Sequence, residues 1–169
     1  MSEFSSSYHF KTDDRAKAVE LIKNSGNRGF AFEETNGWVS FLIEGPLFDI
    51  HPSVIQSNPG LIVHYMYAED HGWQFRVFNK QELAFEYKCD WTDEIVEEKT
   101  LFDLTIIKEL IASHGNSSDG IEELFDISKY DFEEQPAAYT LAEELGLIHY
   151  QWLSADDIGN LADDSLIVE

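Results

Sequence analysis

Apolar residues recur along the first half of the chain mostly at the two-residue spacing of strands, and along the second half mostly at the three-to-four-residue spacing of helices. The longest apolar run, Leu61 to Ala68, is broken only by His64 and follows Asn58-Pro59-Gly60. It predicts a strand covered on both faces. Glu69-Asp70-His71-Gly72 then makes a turn, with Gly72 able to take a positive φ. Trp73 to Phe78 alternates, setting Trp73, Phe75 and Val77 against Gln74, Arg76 and Phe78. After a second turn at Asn79-Lys80-Gln81, Glu82 to Lys88 sets Leu83, Phe85 and Tyr87 against Glu82, Ala84, Glu86 and Lys88. The pattern is a three-stranded meander.

Before the meander, Tyr8 to Thr12 reads as a short strand, preceded by a frayed Ser5 to Ser7. Thr12 or Asp13 caps a helix from Asp14 to Ser25, with Ala18, Leu21 and Ile22 on one stripe and Gly26 as its stop. Arg28 to Glu34 and Trp38 to Ile43 form a hairpin around Thr35-Asn36-Gly37. The connection Gly45 to Gly60 holds three prolines together with Leu47, Phe48, Ile50, Val54 and Ile55, so part of it packs as a helical turn.

From Asp90 onward helices are expected. Leu104, Ile107, Leu110 and Ile111 make one stripe, and Asp119 caps a short helix through Phe125. Pro136 and Gly146 bracket a stripe of Ala138, Leu141, Ala142 and Leu145. Ser154 with Asp157 opens a last helix that buries Ile158 and Leu161. The expected fold is α+β: a mainly antiparallel sheet of about six strands, β-α-β-β and then the meander, packed with C-terminal helices. Residues 1–169 read as a single domain, with 1–89 forming the sheet and 90–169 an acidic helical half laid on it.

Charge sharpens this division. Residues 1–89 carry 12 acids and 8 bases, residues 90–169 carry 21 acids and 3 bases, and the chain totals −22. Such a field repels nucleic acid and anionic membranes and favours a basic protein partner or plain solubility. The one local basic group, Arg15, Lys17, Lys23 and Arg28, is expected to pair with the acidic half. No run approaches a membrane span, and the start MSEFSSSYHFK lacks the charge and apolar core of a signal peptide. The lone cysteine, Cys89, excludes an internal disulfide and fits a reducing, cytoplasmic setting.

Chemistry is sparse. No nucleophile elbow, phosphate-cradling glycine loop, zinc-protease helix or dinucleotide fingerprint occurs, so no catalytic residue and no cofactor is assigned. His64 and His71 flank Glu69 and Asp70, but the spacing matches no ligand pattern and no metal is assigned. Lys88 beside Cys89 favours a thiolate, although a structural thiol is the plainer reading. Tyr65, Tyr67, Trp73, Phe75 and Phe78 read as core.

Gly72 to Tyr87 (GWQFRVFNKQELAFEY) and Ala138 to Ser154 (AYTLAEELGLIHYQWLS) together resemble a loose group of small acidic bacterial proteins, ferredoxin-like in their strand-helix half, some of them thought to be immunity proteins. Those two stretches, about a fifth of the chain, carry the resemblance. It departs from that group at Asn79-Lys80-Gln81, where a glycine turn is common. What the resemblance implies is a binding role. The expected partner is a basic protein. The expected contact residues are Glu122, Glu123, Asp126, Tyr130, Asp131, Phe132, Glu133 and Glu134, a loop mixing acids with aromatics that also carries Phe125. Sheet aromatics left uncovered would add dry contact area. Two rivals stand beside it. One is a small-molecule site or enzyme pocket between the meander and residues 45–60, lined by His51, His64 and Trp73. The other is a structural subunit that buries a sheet face against a second copy.

Overall fold

A computed structural model describes residues 3–45, 50–129 and 135–151, and the backbone of 165–168. Its strands are β1 (Phe4–Lys11), β2 (Gly29–Phe32), β3 (Trp38–Ile43), β4 (Leu61–Ala68), β5 (Gly72–Asn79), β6 (Glu82–Asp90), β7 (Val96–Leu101) and β8 (Ser165–Val168). Its helices are α1 (Arg15–Asn24), α2 (Pro52–Gln56), α3 (Leu104–Ser113) and α4 (Ala137–Leu145). Two short 3-10 segments, Ile121–Phe125 and Ile127–Lys129, lie between α3 and α4. The α+β class and the antiparallel sheet are as expected. The sheet has eight strands rather than six, in the order β7-β6-β5-β4-β1-β3-β2-β8.

The two additional strands come from the half expected to be helical, and they close the sheet at its two ends. In β7, apolar residues stand only at Val96 and Leu101 around a charged middle, so no two-residue period shows in the sequence. Pairing to β6 makes it a strand, from Asp90 opposite Val96 to Glu86 opposite Leu101. Glu97 fastens it from beneath, its Oε2 accepting from the Tyr87 hydroxyl at 2.6 Å and from the Ile127 N–H at 3.1 Å.

The N-terminus departs from expectation as well. Ser5 to Ser7 are not frayed; they pair with Tyr67, Met66 and Tyr65 of β4, and Ser5 and Ser7 are fully buried. Serine is a weak strand former, but its hydroxyls find partners here: Ser5 Oγ donates to Glu3 at 3.1 Å and Ser7 Oγ lies 2.9 Å from His9 Nε2.

Turn chemistry sets the registers. Asn36 and Gly37 both take positive φ, as a two-residue turn with the twist of its strands requires. At Gly72 an added Cβ would lie 2.0 Å from the Cys89 carbonyl oxygen, so only glycine lets β5 approach β6 there. A bulge between Val77 and Phe78 brings Leu83 opposite Phe78, which breaks the alternation expected of Glu82 to Lys88. Asp14, one residue later than expected, caps α1 by accepting from the Ala16 N–H. The 3-10 segment from Ile121 starts after Gly120 without the Asp119 cap.

Each face of the sheet carries a helical cover, that of α1 and α2 reaching only β1 to β4. Ala18, Leu21 and Ile22 of α1 and Val54 of α2 cover Tyr8, Phe10, Val39, Phe41 and Ile62. On the opposite face α3, the first 3-10 segment and α4 cover Trp38, Val63, Tyr65, Trp73, Phe75, Val77, Phe85 and Tyr87. The sheet aromatics therefore supply no open contact area; Tyr65, Trp73 and Phe75 are among the most buried residues of the chain. The α4 stripe is the expected one, and its end is tied down by the hairpin. Trp38 Nε1 donates to the Leu145 carbonyl at 2.8 Å, and Asn36 Nδ2 to that of Gly146 at 3.0 Å. The expected helix at Ser154 to Leu161, and Leu47 and Phe48 of the 45–60 connection, lie outside the described residues. Among those described, no helix is long and apolar enough to cross a membrane.

Candidate functional site

Of the eight residues expected to meet a partner, Tyr130, Asp131, Phe132, Glu133 and Glu134 lie outside the described residues. Glu122 and Glu123 are exposed and Asp126 is half-buried. Two of the three are already engaged. Glu122 pairs with Lys108 at 2.9 Å, and that bond holds its carboxyl below the usual range. Asp126 Oδ1 accepts from the N–H and the hydroxyl of Ser128, which lowers its pKa too. Phe125 cannot serve as a contact residue. Its side chain is fully buried, ringed by Trp73, Phe85, Tyr87 and Phe102.

Exposed apolar surface lies instead at β7. Ile95 is 59% exposed, Val96 47% and Leu101 40%, on and just before an end strand with no partner on its outer side among the described residues. Asp93, Glu94 and Glu98 are exposed around them. Sequence reasoning missed this edge by reading everything after Asp90 as helical; the β-branched pair Ile95-Val96 ahead of Thr100-Leu101 was the available signal. The adjacent segment joins the same surface, because the Ile127 N–H that follows Asp126 is bound to Glu97 of β7.

On the α1 side of the sheet, β4 to β7 carry a cavity of about 410 Å³. Register builds its floor. Met66 stands opposite Gln74, Gln74 opposite Lys88 and Lys88 opposite Glu98; the next row runs Ala68, Gly72, Asp90 and Val96. His71 and Thr92, joined Nδ1 to Oγ1 at 3.0 Å, also line it. Gln74 Oε1 is buried without a hydrogen-bond partner. Half-buried Lys88 makes no ion pair among the described residues.

The pocket expected from His51, His64 and Trp73 does not assemble, because alternation along β5 sends Trp73 to the opposite face from Arg76 and its neighbour His64. His51 and His64 do come together around Tyr8. The Tyr8 hydroxyl accepts from the His51 backbone N–H at 2.9 Å and lies 3.0 Å from its Nδ1. Arg76 Nη1 donates to His64 Nδ1 at 3.3 Å and Arg76 Nε to Glu86 at 2.7 Å. His64 thus accepts at Nδ1 and carries its proton on Nε2, and Nε2 of both imidazoles is buried without a hydrogen-bond partner among the described residues. Burial, reinforced by Arg76, pushes His64 down to about 3, and burial pushes Tyr8 up to about 12. Burial alone would raise the Glu86 carboxyl, but the bond and charge of Arg76 together with Lys88 and Thr100 outweigh it and leave the pKa lowered. The row is a neutral, internally bonded strut capped by one ion pair.

Cys89 is fully buried, and burial lifts its thiol to about 11, so Lys88 does not activate it. Arg15 pairs with Glu33 and Arg28 with Glu44, both acids of the first half rather than the acidic second half. His64 and His71 are not brought together, and no group of three His, Cys, Asp or Glu residues fit to hold a metal occurs among the described residues. No family model matches the chain, and neither a curated protein nor a solved structure matches it.

Proposed function

We propose that this protein is a binding module of the immunity or inhibitor kind, which engages a basic protein along the outer edge of β7. The observation that carries this reading is the trio Ile95, Val96 and Leu101, exposed at an edge with no strand partner on its outer side among the described residues and surrounded by carboxylates. An edge strand offers a row of backbone donors and acceptors that a partner strand can complete. Here a second copy is a poor partner, since each chain carries −22. A basic segment meets opposite charge at Asp93, Glu94 and Glu98, gains association rate from the field, and covers the apolar trio on docking. Glu122, Glu123 and Asp126 extend the acidic margin rather than forming its centre.

The test is affinity capture from the source organism with the wild-type chain and with Val96→Asp/Glu98→Lys, first at low and then at high salt. A basic protein held by the wild type, released by salt and not held by the folded variant is the expected result. Equal capture by both chains overturns the assignment.

A further inference from the structure

Beneath the β7 edge the cavity on β4 to β7 has a chemistry of its own, and we propose that it binds a small zwitterion of the free α-amino acid class. Its volume of about 410 Å³ falls within the roughly 300–1,000 Å³ of small-molecule sites. Lys88 supplies an ammonium, and Asp90 and Glu98 supply two carboxylates. Lys88 and Glu98 stand directly opposite each other across β6 and β7, yet they make no ion pair. The Lys88 charge is felt by Glu86, whose pKa it helps to lower, but no carboxylate among the described residues comes within ion-pair distance of the ammonium, and a ligand carboxylate can take that position.

The opposite end of such a ligand is equally provided for. Gln74 stands next to Lys88 in the row, and its buried Oε1 lacks a donor. Asp90 spends Oδ1 on the Thr92 N–H at 2.8 Å and keeps its other oxygen. An ammonium donating to Gln74 Oε1 and to a carboxylate satisfies both. Met66, which is buried, and Val96 offer apolar wall for a side chain. A simple cation would leave Lys88 unpaired, and a simple anion would meet two carboxylates. A ligand carrying both charges fits the lining. This inference does not rest on the partner-binding reading, and either can fail alone.

The experiment is a titration of the whole chain with L-leucine, L-glutamate and L-arginine separately, followed by backbone amide NMR. The tightest binder is then compared with its decarboxylated amine and its deaminated acid. Saturable shifts are expected at Met66, Gln74, Lys88, Asp90, Val96 and Glu98, with each truncated analogue weaker by about tenfold or more. Lys88→Met is expected to weaken the amino acid by a similar factor while leaving the amine unchanged. No saturable shift up to roughly 10 mM for any of the three overturns the proposal. So does an amine or an acid that binds as tightly as the amino acid, and that comparison decides the matter even if the variant fails to fold.

Discussion

His9 and His64 occupy adjacent strands and face opposite sides of the sheet, and neither exposes any surface. His9 is held between the hydroxyls of Ser40, 2.7 Å from Nδ1, and Ser7, 2.9 Å from Nε2. Burial, and to a lesser degree His149, lowers its pKa to about 3, the value His64 also has. In the unfolded chain both sit near the usual 6.5. Between those values the unfolded state binds more protons, so stability rises with pH: the full contribution is present above about 6.5 and drains away as pH falls toward 3. At pH 5 the loss is about 2 kcal/mol for each histidine. Urea midpoints are therefore expected to fall from pH 7 to pH 5, and His9→Asn/His64→Gln to flatten that slope; equal slopes in the two chains contradict the assignment. Cys89, buried and with its thiol raised to about 11, should react with a thiol reagent only as fast as the chain opens. Rapid labelling of native protein would show the thiol accessible.

At the scale of elements, α4 joins the acidic half to the sheet. Leu141 is fully buried against the aromatic face, and Leu141→Ala is expected to cost about 2–5 kcal/mol, read as a shift in the urea midpoint at unchanged slope. That helix was legible in the sequence because Pro136, Gly146 and a 3.6-residue stripe agree. The meander was legible because alternation and turn residues agree. The rest failed for identifiable reasons. Ser5 to Ser7 have the composition of a loose terminus, and only pairing with β4 makes them core. In β7 the apolar positions stand at the ends, and its strand state comes from β6 and from Glu97 reaching Tyr87. The cavity lining is drawn from four strands and the turns beside them. Met66, Gln74, Lys88 and Glu98 become neighbours through register alone, which no spacing within one segment encodes. Phe125 shows the converse: it lent the acidic loop its aromatic character in the sequence, but its ring faces inward while Glu122 and Glu123 face water.

For the whole molecule the governing quantity is uncompensated charge. The three arginines of the first half are spent locally, Arg15 on Glu33, Arg28 on Glu44 and Arg76 on Glu86. In the second half Lys108 meets Glu122 and Lys99 meets Glu97, which leaves Asp93, Glu94, Glu98, Asp103, Glu109, Asp119 and Glu143 exposed without a salt bridge among the described residues. Folding gathers these like charges and so works against their repulsion, whereas a basic partner gains from the same field. Salt acts on the two processes with opposite sign. Raising ionic strength from about 0.01 M to about 0.15 M shortens the screening length from ~30 Å to ~8 Å. The urea midpoint of the isolated chain should rise over that range as repulsion is screened, while association with the basic partner slows and weakens. Reversing Asp93, Glu94 and Glu98 to lysine should reduce both salt slopes together, since one set of carboxylates produces both. A partner whose binding is indifferent to salt, alongside a midpoint that rises with it, would mean that the acidic margin serves solubility alone and that the β7 contact is apolar.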